Sequence, residues 1–94
     1  GFTYYVFKNS ANITLPRTSK DQSTYGTTVS KKNLKVGDLV FFDTSGSNSG
    51  NVSHVGIYIG SNQFIHSSST KGKVVISDFT NYYNNAFVRA KRVL

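Results

Sequence analysis

The chain has no cysteine anywhere in its 94 residues. That excludes disulfide staples, thiolate zinc sites and a cysteine nucleophile supplied from within these residues. Acid is scarce as well. Four carboxylates, every one an aspartate, stand against eleven lysines and arginines and leave a net charge of +7. A field of that sign favours anionic partners such as nucleic acid, an acidic membrane or a cell-wall polymer, and it serves equally as a plain solvated surface. Long apolar runs are also missing: no stretch approaches the roughly 20 residues needed to span a bilayer, so no transmembrane segment is expected. No secretory leader stands at Gly1, which excludes nothing where a preceding segment belongs to the same protein.

What is present suits one small domain with one modest core. Hydrophobic residues make up 37% of the chain and aromatics 14%, so Phe and Tyr must supply much of that core. Phe2, Tyr5 and Val6, with Asn9 completing the stripe, predict a helix over Phe2 to Ala11. It opens at Gly1 without a side-chain cap, so its first amide donors need partners from elsewhere. Ile13 to Pro16 is extended, because the residue before a proline is pushed out of the helical region. Ser19 and Gln22 fit a capping box for a short helix from Lys20 to Tyr25 that stops at Gly26.

Thr27 to Lys35 reads as polar loop with a brief strand at Thr28 and Val29. Val36-Gly37-Asp38 turns into Leu39 to Phe42, an unbroken apolar run suited to a central strand, and Asp38 is expected as a turn residue. A loop rich in Ser, Gly and Asn spans Asp43 to Asn51. After a turn at Thr70 to Gly72 come a strand from Lys73 to Ser77, an aromatic helical turn from Phe79 to Asn84 and a last strand from Phe87 to Val93. Helices first and then a meander of strands make an α+β domain with an antiparallel sheet.

The stretch richest in chemistry is VSHVGIYIGSNQFIHSSS, from Val52 to Ser69, which holds both histidines of the chain. Val55, Ile57 and Ile59 alternate with His54, Gly56 and Tyr58, the period of a half-buried strand. Gly60-Ser61-Asn62 is the turn, and Gln63 to Ser67 the returning arm. A three-residue loop opposes Gly56 to His66 and makes His54 its diagonal neighbour on the same face. A two-residue loop of Ser61 and Asn62 opposes Ile57 to His66 instead and separates the rings. Gly60 favours the longer, bulged loop.

Two histidines on one face leave three readings open: a base and its orienter, a two-histidine metal site, or ordinary residues of a polar face. Metal is disfavoured because no carboxylate sits at short ligand spacing and a catalytic zinc takes about three protein ligands. A base needs a nucleophile, and none is evident. Ser53 adjoins His54 but points to the opposite face, while Ser67, Ser68 and Ser69 lack a nucleophile-elbow pattern. Candidates for substrate contact are Arg17, by a carboxylate-binding fork, the hydroxyl of Tyr58, and Ser67.

Taken in order, GFTYYVF, the LPRTS..Q segment from Leu15 to Gln22, LKVGDLVFF, SHVGIYIG and FIHSSS resemble the NlpC family of bacterial cell-wall cysteine endopeptidases, grouped with the sixty-kilodalton invasion-associated protein. The similarity covers nearly the whole chain. It implies a papain-like α+β fold, with N-terminal helices packed on an antiparallel sheet, and hydrolysis of stem-peptide bonds in peptidoglycan with no cofactor. It implies further that His54 is the general base and His66 the residue that orients it. The family's nucleophile lies in an Asp-Cys-Ser-Gly motif just ahead of the first helix, and Gly1-Phe2 match only its end.

The chain is therefore expected to be a single truncated domain over residues 1–94, beginning just after the nucleophile and inactive alone, from a secreted or wall-associated bacterial protein. The histidines are expected to point at the start of the Phe2 helix. The competing expectation is a non-catalytic module that binds anionic wall polymer through Lys31, Lys32, Lys71, Lys73, Arg89, Lys91 and Arg92. Nucleic acid is not expected as a partner, because no basic and aromatic platform for stacked bases is present.

Overall fold

The computed structural model of the chain describes residues 3, 6–8, 14–16, 18–44, 51–68 and 72–94. Phe2, Tyr5 and Asn9 of the expected helical stripe, Arg17, most of the Ser/Gly/Asn loop, and Thr70 and Lys71 lie outside the described residues. Thr3 and residues 6–8 are helical.

Six strands form one sheet: β1 (Thr27–Val29), β2 (Leu39–Phe42), β3 (His54–Gly60), β4 (Gln63–Ser68), β5 (Lys73–Asp78) and β6 (Phe87–Arg92). Their order is β1-β6-β2-β3-β4-β5, and every neighbouring pair is antiparallel. The expected meander holds from β2 to β5 and ends there. The short helix Asn81–Ala86 follows β5, and β6 then inserts between β1 and β2. The reason lies in β2, whose four residues are wholly buried and which therefore needs a partner on both edges.

Alternation along β2 divides the core in two. Val40 and Phe42 join Val29, Phe64, Phe79, Ala86 and Ala90 on one face. Leu39 and Phe41 join Phe7, Leu15 and Ile57 on the other. Burying each large side chain contributes about 1.5–3 kcal/mol.

The helix expected over Lys20 to Tyr25 is one turn, Ser19–Gln22, and its N-cap is Thr18, not Ser19. Asp21 N–H donates to Thr18 Oγ1 at 3.1 Å. Gln22 makes no capping box because its side chain is turned inward. Its Nε2 donates to the Pro16 carbonyl at 2.7 Å and its Oε1 accepts from Thr3 Oγ1 at 2.7 Å. Thr3 and Gln22 are both buried, and the Ser19–Gln22 turn lies against β3. The start of the chain is thus tied beside the strand that carries His54. The polar segment expected as loop contains a turn of 3-10 helix, Lys31–Asn33.

Candidate functional site

The β3–β4 hairpin has the expected register by an unexpected route. Its loop is two residues, Ser61 and Asn62, both with left-handed backbone (φ 53° and 61°), the pairing that suits a tight hairpin. Gly60 pairs with Gln63 and Tyr58 with Phe64, so Ile59 is an extra residue in a bulge. The bulge restores what the shorter loop removes: Gly56 opposes His66, and His54 is its diagonal neighbour. Gly56 provides the space. A Cβ there would stand 2.7 Å from Phe64 Cδ2, 3.1 Å from the Ile65 carbonyl oxygen and 3.4 Å from His66 Cβ.

The two imidazoles meet directly. His54 Nε2 lies 2.7 Å from His66 Nδ1, with the rings nearly perpendicular at 85°. His66 is buried (3% exposed) and its Nε2 lies 2.8 Å from Ser77 Oγ on β5. Its ring packs on Phe64 at 4.8 Å and Tyr83 at 5.7 Å between centroids. Burial lowers the pKa of His54 from its ordinary 6.5, because desolvation disfavours the imidazolium. His54 is thereby biased toward the neutral ring, the form that accepts a proton. Since its Nε2 engages His66, Nδ1 is the nitrogen available for that task. The nitrogens that face each other spend their proton and lone pair on one contact, which leaves neither to a metal at that position.

Tyr58 and Ser67 do not join this pair. Tyr58 lies four residues along the same face, about 13 Å by strand rise, and its hydroxyl accepts from Asn62 N–H at 3.1 Å, bracing the turn. Ser67 pairs with Val74 and faces the side of the sheet away from His66. Arg17 and the expected aim of the histidines at the Phe2 helix involve residues outside those described. Ser53 is turned to Thr44, whose amide donates to its Oγ at 2.8 Å. Asp38 is the turn residue anticipated, and more: its carboxylate receives the Lys35 amide and both Nε and Nη2 of Arg92.

Several cations of the proposed polymer surface have partners within the fold. Arg92 holds Asp38, Lys91 Nζ donates to Thr28 Oγ1, and Arg89 donates to Ser23 Oγ. Sequence reasoning missed Ser77 and the inward role of Gln22. The signal for Ser77 is its pairing with Phe64, which puts it on the histidine face.

With that geometry in hand, comparison with known proteins decides the family. The model of the NlpC/P60 family matches residues 1–92. The chain belongs to the NlpC/P60 family. It is 38% identical over 94 residues to the Escherichia coli K12 protein named murein DD-endopeptidase MepS/murein LD-carboxypeptidase, covering 100% of this chain and 48% of that protein. It is 40% identical over 93 residues to the probable endopeptidase NlpC of the same organism, covering 99% and 59%. To the gamma-DL-glutamyl hydrolase of Bacillus subtilis it is 39% identical over 95 residues, covering 99% and 22%. The chain thus spans about half or less of the length of two of these three relatives.

Among solved structures, an NlpC/P60 family protein from Bacillus cereus superposes with a TM-score of 0.86 at 39% identity, covering 97% of this chain and 30% of that one. The peptidoglycan hydrolase RipB of Mycobacterium tuberculosis superposes with a TM-score of 0.75 at 29% identity, covering 95% and 41%. The antiparallel sheet with few short helices is the architecture the chain shares with the Bacillus cereus NlpC/P60 structure. Among the described residues, no helix is long and apolar enough to cross a membrane.

Proposed function

We propose that residues 1–94 form the base-bearing part of a single papain-like domain that hydrolyses stem-peptide bonds of bacterial cell-wall peptidoglycan. His54 is its general base and His66 the residue that orients it. The 2.7 Å contact between His54 Nε2 and His66 Nδ1 carries this reading. A contact of that kind fixes one ring nitrogen and presents the other, as a base requires. Relatives named as murein endopeptidases and structures titled as peptidoglycan hydrolases support the choice of substrate.

The nucleophile is a cysteine outside these residues, which contain none. His54 Nδ1 takes the thiol proton, and the thiolate attacks the peptide carbonyl. The His54 imidazolium then protonates the leaving amine, and neutral His54 activates water to release the acyl group. His66 holds the ring through each step. Without the thiol, the 94 residues are inactive on stem peptides. The envelope is the compartment this substrate dictates.

A module that merely binds anionic polymer is the weaker reading, since Arg89, Lys91 and Arg92 are engaged within the fold. Extending the chain at its start by Asp-Cys-Ser with a preceding family segment tests the proposal. Release of cleaved muropeptides is expected. A folded extended chain that leaves every stem peptide of a diverse panel intact removes the peptidase reading.

A further inference from the structure

Beyond the two imidazoles, we propose that Ser77 is a positioning residue that sets the tautomer of the histidine pair. This rests on the reading of His54 as a base. His54, His66 and Ser77 form a diagonal row across three neighbouring strands. Gly56, His66 and Val75 stand opposite one another, with His54 two residues before Gly56 and Ser77 two residues after Val75. The row is closed by hydrogen bonds of 2.7 Å and 2.8 Å. Each imidazole is bonded to the next group by a definite nitrogen, so the position of one proton fixes the others.

Two neutral arrangements satisfy the row. In the first, His54 Nε2–H donates to His66 Nδ1, His66 Nε2–H donates to Ser77 Oγ, and His54 Nδ1 keeps a bare lone pair. In the second, Ser77 O–H donates to His66 Nε2, His66 Nδ1–H donates to His54 Nε2, and the His54 proton sits on Nδ1. Only the first leaves a base on the side away from His66. It places an N–H on Nε2 of a buried ring, and a buried donor deprived of an acceptor costs more than a lone pair left unused. The Ser77 oxygen receives that N–H. Ser77 is half-buried, so its own hydroxyl proton turns to solvent while the oxygen accepts. Replacing it with alanine removes an acceptor that only the first arrangement needs.

The test is long-range proton–nitrogen correlation on the histidine-labelled 94-residue chain near pH 8, well above the ordinary imidazole range of about 6.5. In the parent, His54 is expected to carry its proton on Nε2, with bare Nδ1. Ser77→Ala should shift the His54 population toward Nδ1–H by roughly tenfold, the scale of one lost buried hydrogen bond. Ser77→Thr, which keeps the hydroxyl, should retain the parent pattern. A Ser77→Ala chain with parent tautomers overturns the proposal. So does a parent chain whose His54 proton sits on Nδ1, and that result requires no variant to fold. The measurement uses no cysteine and no substrate. An unchanged tautomer therefore counts against Ser77 alone, whereas an inert extended chain counts against hydrolysis.

Discussion

The two faces of the sheet are built for different tasks. On one, Leu39, Phe41 and Ile57 meet Phe7 and Leu15 in an aliphatic and aromatic layer that fastens the N-terminal segment to the sheet. On the other, Phe42, Phe64 and Phe79 make an equally buried cluster, but its border is the polar row of His54, His66 and Ser77. The first face requires volume; the second requires volume and placement. Phe64 and Tyr83 clamp the His66 ring, so the apolar cluster sets the aim of the polar row. Changes on the first face should alter stability, while changes on the second should alter geometry out of proportion to stability.

The largest expected effect belongs to the first face. Phe41→Ala removes a wholly buried ring from the central strand and should cost about 3–5 kcal/mol, read from urea unfolding. A loss below about 1 kcal/mol would place the centre of that face elsewhere. Next comes Gly56→Ala on the histidine face. The added methyl meets the Phe64 ring and the Ile65 carbonyl, and should cost about 1–3 kcal/mol. Its sharper signature is separation of the two imidazoles, seen as loss of their tautomeric coupling. If that coupling survives, Gly56 is not what admits the contact. Gln22→Ala, which unties Thr3 from Pro16, should cost about 1–3 kcal/mol. It should leave the tautomers of the row unchanged, and a shift in them would show the two core faces to be coupled.

The smallest effect is a titration. His54 should titrate below 6.5 because burial penalises its charged form. Between the folded and unfolded values the unfolded chain binds more protons, so stability rises with pH there. This contribution is complete above about 6.5 and is lost as pH falls through the folded value. A His54 midpoint above 6.5 by NMR would reverse the sign.

Much of this was legible in the sequence where local period and tertiary demand agree. Leu39 to Phe42 reads as a central strand because all four side chains are apolar, and the structure buries all four. The histidine pairing was legible as a register. The bulge was not, since Ile59 continues the alternation of Val55 and Ile57 as though no residue were extra. Ser19 reads as the cap because Gln22 stands three residues on, but the Gln22 side chain is bonded inward to Thr3 and Thr18 caps the turn instead. The insertion of β6 beside β2 depends on which sheet edge is left to cover, which no window of sequence contains. A serine on a strand is commonplace until its neighbour across the sheet is known, and Ser77 was invisible for that reason.

The most direct test of the central claim compares stem-peptide hydrolysis by the cysteine-extended chain with that of its His54→Ala form. If His54 is the base, the substitution should lower the rate by about 10²-fold or more with the fold intact. An extended His54→Ala chain that cleaves as fast as its parent would contradict the account.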